Sequence, residues 1–190
     1  MTSCPQPPQW KRPFADRLVA ALRLDRTVFD EVEHDADAIG QAAAVVALGA
    51  LAQGIGGVDA ASTTELIAGI VAMVVVGFLG WLVSSGVIWL IGVQVMGGRS
   101  DYPELLRTLG FASAPRVLWL LGVLPLGPLH AALGFLVLIL TTVAFVLAVR
   151  QALEVTTGRA LLVCVLGMIA GFLLAVGVGT LIGLGATLAR

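Results

Sequence analysis

Arg116 is the residue of this sequence best placed to do chemistry inside a membrane. It directly follows Pro115 and is separated from Pro125 by about 15 Å of α-helix without any other charge. An arginine at the centre of a membrane span costs about 2.5–3.5 kcal/mol, so such a residue usually has a function or a partner. We therefore treat Arg116 as the main residue of a candidate intramembrane polar site.

Three acidic residues lie where they could pair with Arg116, namely Asp101, Glu104 and Glu154. The guanidinium could instead extend to the lipid headgroups, or bond carbonyl groups that are freed where Pro115 interrupts the helix. A kink at Pro115 would direct the side chain toward the other helices rather than toward lipid. We therefore predict a protein partner for Arg116, either one of these carboxylates or the free carbonyl groups.

Enzyme chemistry is not indicated. A serine protease needs a serine and a histidine within hydrogen-bond reach, but Ser84 and His130 are predicted at opposite membrane depths. The acidic run over residues 30–37 could bind a divalent cation, although a solvated acidic face is the better interpretation. Cys4 and Cys164 have no metal-ligand spacing. The sequence predicts no catalytic residue, no metal site and no cofactor.

The elements that would position these residues are membrane helices. Of the 190 residues, 58% are hydrophobic and only 12% are charged, whereas a soluble domain carries about 25% charged residues. Residues 66–98 and 117–149 contain no Asp, Glu, Lys or Arg, and apolar runs of this length predict transmembrane helices. Segments with the alternating pattern of a β-barrel are absent from the sequence. The predicted fold class is therefore all-α, in a polytopic membrane protein.

We predict five membrane spans, of which the third is kinked. The stretch from Arg116 to Pro125 is too short to cross a hydrocarbon core of about 30 Å, so the third span must begin near residue 103 and bend at Pro115. Its first part, residues 102–111, is amphipathic and suits a helix at the membrane interface. The other spans are 39–56, 66–95, 129–155 and 160–188.

Residues 1–37 are predicted to form a cytoplasmic N-terminal tail, and residues 38–190 the five-span membrane domain. Within the tail, Phe14, Leu18 and Leu22 recur every four residues, which predicts a short amphipathic helix. This helix lies either on the membrane surface or against the protein's own cytoplasmic loops, and the sequence leaves both arrangements open.

The basic residues predict the orientation. They precede the first span, lie between the second and third, and flank the turn between the fourth and fifth, whereas residues 57–65 and 125–130 contain none. The positive-inside rule therefore places the N-terminus in the cytoplasm and the C-terminus outside.

The last predicted span has small residues at every fourth position. Such a pattern lets two helix backbones approach closely and gain van der Waals contacts. We predict that this face packs against another helix, more readily within the bundle than across a homo-oligomer. Its members are Gly167, Gly171, Ala175, Gly179 and Gly183.

Two stretches of the sequence resemble the Yip1 family. ALRLDRTVFDEVEHDADAIGQA, residues 21–42, resembles the lead-in of bacterial Yip1-domain proteins, and LLRTLGFASAPRVLWLLGVLP, residues 105–125, resembles their central Gly–Ser–Pro signature. The likeness extends over roughly residues 15–188. It implies five closely packed spans after a cytoplasmic N-terminal segment, and a location in a bacterial inner membrane.

These observations favour a non-enzymatic function. We expect an integral membrane scaffold or adaptor that organises the bilayer or partner proteins. Its expected partners are the lipid bilayer and other membrane proteins; a homo-oligomer is left open, and no basic tract indicates nucleic acid. The alternative is a small transporter or channel with Arg116 in its pathway.

Overall fold

In this computed structural model, the described residues are 11–57, 62–167 and 169. All their regular elements are helices and none is a strand, which confirms the all-α prediction for this part of the chain. The elements are α1 Phe14–Leu22, α2 Arg26–His34, α3 Ala38–Gly56, α4 Thr63–Trp89 with a π-helical continuation Leu90–Val95, α5 Tyr102–Ala112, a 3-10 segment Ala114–Val123, α6 Leu129–Ala152 and α7 Thr157–Gly167.

Three of these helices are long and apolar enough to cross a membrane, namely Ala38–Gly56, Thr63–Val95 and Leu129–Ala152. The third predicted span is divided between α5 and the 3-10 segment, and most of the fifth lies outside the described residues. The five-span count therefore stays a prediction, while its first, second and fourth members coincide with these three helices.

Local capping explains where several helices begin. Ser62 Oγ accepts a hydrogen bond from the Glu65 backbone N at 3.2 Å, as the spacing of these two residues predicts. Asp25 caps α2 by accepting from the Thr27 backbone N at 3.0 Å. Asp101 caps α5 as part of a capping box. Each cap satisfies amide groups that have no partner within the helix.

The chain changes helix type at Pro115, where a kink is predicted. The α5 helix ends at Ala112, and a ten-residue 3-10 segment, Ala114–Val123, follows it. A 3-10 helix rises about 2.0 Å per residue, so this segment extends about 20 Å rather than the 15 Å of an α-helix. The chain then passes Pro125 and turns at Gly127, which has a φ of +52°.

Helix α3 runs in the same direction as α5 and the 3-10 segment. Gly110 packs against Ala42 near the start of α3, and the backbone of Gly122 packs against that of Gly56 at its end. Residues later along α3 therefore contact residues later along α5 and the 3-10 segment. If the α5 and 3-10 unit ran opposite to α3, as in a re-entrant hairpin, residues late in α3 would contact residues early in α5.

The N-terminal helices belong to the same core as the long helices. Val28 and Phe29 of α2 are buried in one cluster with Ala38 of α3, Leu105 of α5 and Ala148 of α6. Of the two arrangements left open for the amphipathic helix α1, the structure has it packed against the protein itself. The hydrophobic core is thus continuous across the predicted boundary between residues 37 and 38.

Candidate functional site

Arg17 is the centre of a buried ionic cluster. Its side chain is only 1% exposed. Nε donates to Glu31 Oε1 at 2.9 Å, Nη2 donates to Asp35 Oδ2 at 2.7 Å, and Nη1 donates to Gln41 Oε1 at 2.9 Å. One arginine therefore joins α1 to the C-terminal end of α2 and to the first turn of α3.

Lys11 and Arg12 extend this cluster. Lys11 Nζ donates to Asp35 Oδ1 at 2.7 Å, and the Arg12 backbone N donates to Glu31 Oε1 at 2.8 Å. Burial disfavours the charge on Asp35, but hydrogen bonds from Lys11 and Arg17 outweigh this effect and hold the pKa of Asp35 below its usual range. Asp35 is thus ionised and closely paired.

The solvated acidic face predicted for residues 30–37 is wrong for three of its members. Glu31, Glu33 and Asp35 are buried. The physical reason is that the cluster cations neutralise Glu31 and Asp35. A signal for this was present in the sequence, because Glu31 and Asp35 are four residues apart and follow Val28 on the same helical face.

Arg107 attaches α5 to the end of α2. Its Nε donates to the Val32 carbonyl O at 3.0 Å, and its Nη2 donates to the Glu33 carbonyl O at 2.5 Å. Carbonyl groups in the last turn of a helix have no partner within it, so Arg107 satisfies two of them. Arg107 and Thr108 are buried inside the protein, so these polar residues of α5 do not face water. The position of α5 at the membrane interface stays a prediction.

Glu33 is a buried carboxyl group with an unsatisfied oxygen. Its Oε2 has no hydrogen-bond partner among the described residues. Burial is the main cause that raises the pKa of Glu33 to about 7; His34 opposes the shift, and the charges of Glu104, Asp30 and Glu154 add to it. Ligand atoms of Asp30, Glu33 and His34 lie within 4.8 Å of one another, so this group has a donor set that could hold a cation.

Replacement of Glu33 by glutamine is expected to have a pH-dependent effect on stability. The folded protein binds a proton at Glu33 that the unfolded chain releases above its ordinary pKa, so stability falls as the pH rises from about 4.5 to about 7. Relative to wild type, Glu33→Gln should therefore gain up to about 3 kcal/mol between pH 5 and pH 8. Thermal unfolding in detergent at both pH values measures this gain, and an equal effect at pH 5 and pH 8 would contradict it.

The carboxylates predicted to pair with Arg116 do not contact it. Glu104 Oε2 accepts from the Asp101 backbone N at 2.8 Å, and both residues lie at the start of α5, about 16 Å of helix away from the segment that carries Arg116. Glu154 is exposed in the turn that follows α6. Within the described residues, the Arg116 side chain has neither an ion pair nor a hydrogen bond. The predicted pairing is therefore not observed.

Arg116 lies beside the middle of α3. A Cβ atom built on Gly49 would lie 3.0 Å from the Arg116 Cβ, and Gly49 is about 16 Å along α3 from Ala38. Because α3 is one of the three helices of membrane-spanning length, Arg116 adjoins the central part of a candidate span. The depth of Arg116 in a membrane stays a prediction.

A cavity of about 610 Å³ adjoins Arg116 between α3, α4, the 3-10 segment, α6 and α7. Its wall is mostly apolar, with a few polar side chains. The polar members besides Arg116 are Gln53, Ser84, Ser113, Thr141 and Thr142. Such a composition is typical of small-molecule sites, which have volumes of about 300–1,000 Å³.

Other polar groups considered in the sequence have structural contacts. Ser84 Oγ donates to the Trp81 carbonyl O at 3.2 Å, and the His130 ring lies against the Trp119 ring at 5.6 Å between centroids. Of the predicted small-residue face on the last helix, Gly167 packs against Ile88 of α4. The remaining members, Gly171, Ala175, Gly179 and Gly183, lie outside the described residues.

The helical architecture and the three long apolar helices indicate a helical membrane protein. The model of the Yip1 family, described as the Yip1 domain, matches residues 22–179. Because this match covers most of the chain, the chain belongs to the Yip1 family, and the resemblance of residues 21–42 and 105–125 is confirmed. No curated protein and no solved structure matches the chain.

Proposed function

We propose that the protein is a non-enzymatic integral membrane scaffold or adaptor that presents a fixed cytoplasmic platform. The platform consists of α1 and α2, residues 14–34. The observation that carries this proposal is the buried Arg17 cluster, because it fixes both helices to α3. A helix that merely rested on the membrane surface would have its charged residues in water.

The proposed topology has five spans, with the N-terminus in the cytoplasm and the C-terminus outside a bacterial inner membrane. The shared direction of α3 and the α5 and 3-10 unit supports a third span that crosses the membrane in the same sense as the first. In this topology the platform lies on the cytoplasmic side. The lipid bilayer surrounds the spans, and partner proteins are expected at the platform or along the helices.

The outer surface of the platform is charged and accessible. Asp16, Arg23 and Arg26 are exposed, and none of their side chains has a hydrogen bond or ion pair among the described residues. Groups of this kind contribute little to stability, so they are available for contact with another protein. The scaffold proposal therefore assigns partner binding to this surface.

Co-purification from mild detergent tests the proposal. Wild-type protein should retain a partner in fixed stoichiometry, and the combined variant Asp16→Ala, Arg23→Ala and Arg26→Ala should lose it with unchanged thermal stability. Replacement of the exposed residues Arg99 and Arg159 by alanine is the matched control and should retain the partner. A lone homo-oligomer would favour self-assembly over the adaptor function, and a lone monomer would contradict the scaffold.

The cavity beside Arg116 favours a second candidate, a small transporter or channel. An unpaired arginine facing a cavity within a helix bundle is a feature of solute pathways. Anion flux into proteoliposomes separates the two functions. Flux that requires Arg116 supports the transporter, and proteoliposomes no leakier than protein-free vesicles support the scaffold.

A further inference from the structure

We propose that the cavity beside Arg116 binds an anionic amphiphile, a molecule with one oxyanion headgroup, carboxylate or phosphate, and an apolar chain. The headgroup lies against the guanidinium, and the chain follows the apolar wall between α4 and α6. This inference concerns the cavity that favours the second candidate function, but it requires binding only and no transport.

The first argument is the uncompensated charge of Arg116. A charged group beside the middle of an apolar helix is strongly stabilised by a counter-charge and hydrogen bonds. Within the described residues the guanidinium has neither. The remaining residues contain a single acidic side chain, Asp59, so the chain offers few alternatives to an external anion.

The second argument is that other polar side chains line the same cavity as Arg116. Thr141 Oγ1 is buried and has no hydrogen-bond partner among the described residues, although Thr141 lines the cavity. The Gln53 side chain lies in the same wall. A guanidinium, a hydroxyl and an amide in the wall of one cavity provide donors for both oxygens of a carboxylate or phosphate group.

The third argument is the apolar opening. Val76 of α4 and Leu138 of α6 line the cavity, yet they are 62% and 60% exposed. Among the described residues, the cavity therefore opens laterally between two helices of membrane-spanning length, where lipid chains would lie. A free inorganic anion would leave this apolar part of the site unmatched, whereas an acyl chain would fill it.

Photo-crosslinking of the full chain in detergent micelles tests the proposal. The probe is a long-chain fatty acid that carries a diazirine, and the competitors are oleate, oleyl alcohol and inorganic phosphate. We expect saturable labelling of peptides from α4 and α6, which oleate suppresses and which oleyl alcohol and phosphate leave unchanged. Suppression by phosphate would instead identify a free-anion site, and equal suppression by oleyl alcohol would identify an apolar site; either result overturns the proposal.

Two variants locate the site. Arg116→Gln should lower the apparent affinity for the probe at least tenfold, whereas Arg99→Gln, which removes the same charge from an exposed position, should leave it unchanged. Gly80 lines the cavity, and a Cβ there would meet no atom within 4 Å, so Gly80→Leu should fill the space and reduce labelling in a folded protein. Undiminished labelling in Gly80→Leu overturns the proposal even if Arg116→Gln does not fold.

Discussion

Replacement of Arg17 by alanine is expected to destabilise the protein by about 3 kcal/mol, at the lower end of the cost of breaking a buried ion pair, because Glu31 and Asp35 lose their shared guanidinium and keep only the more exposed cations Arg12 and Lys11. Glu31 and Asp35 are 5% and 6% exposed, so solvent cannot replace the lost guanidinium without a rearrangement of α1 and α2. The amide of Gln41 loses its hydrogen bond as well. The measurement is thermal or denaturant unfolding of the purified protein in detergent.

Arg23→Ala is the matched control for this prediction. Arg23 follows α1, is exposed and has no side-chain contact with an acid among the described residues, so its loss should change stability by less than about 0.5 kcal/mol. The effects of Arg17→Ala and Glu31→Ala should also be non-additive, since each removes the same interaction. Equal small effects of Arg17→Ala and Arg23→Ala would show that the cluster does not stabilise the fold.

Replacement of Gly56 or Gly122 by alanine is the second change with a large expected effect. A Cβ atom at Gly56 would collide with the Trp119 carbonyl oxygen, and one at Gly122 would collide with the Gly56 carbonyl oxygen. Both obstacles are backbone atoms that cannot move aside as a side chain would. We expect each variant to lose at least about 3 kcal/mol, at the upper end of the cost of overpacking.

Gly80→Ala is the control for the two glycine variants. Gly80 lies inside α4, and its added methyl group would meet no atom within 4 Å. Because alanine favours a helix over glycine by about 1 kcal/mol, this variant should be as stable as wild type or slightly more stable. If Gly56→Ala and Gly122→Ala unfold at the same temperature as Gly80→Ala, the two backbones do not approach each other as closely as described.

The features that could be predicted from the sequence are local ones. Uncharged apolar runs indicate the long helices, and the spacing of Ser62 with Glu65 and of Asp101 with Glu104 marks two helix starts. A cap joins residues within one turn, so the chain itself brings its members together.

The features that could not be predicted depend on contacts between distant segments. Arg107 bonds to carbonyl groups about 75 residues away, and Arg17 reaches across α2 to α3. An arginine on the polar face of an amphipathic helix is expected to face water. Arg17 is buried because α1 packs with this face against α2 and α3, and the sequence of α1 alone does not show that contact. The glycine contacts between α3 and the 3-10 segment were missed because Gly49 and Gly56 are seven residues apart, a sparser pattern than the small residues at every fourth position from Gly167 onward.

The direction of each span in the membrane is the central claim of this account, because it decides on which side the platform lies. Reporters fused before residue 1 and after Arg190 test it most directly. The account predicts that an alkaline phosphatase reporter is active after Arg190 and inactive at the N-terminus, with the opposite result for a reporter that is active only in the cytoplasm. A cytoplasmic signal after Arg190 would contradict the five-span topology.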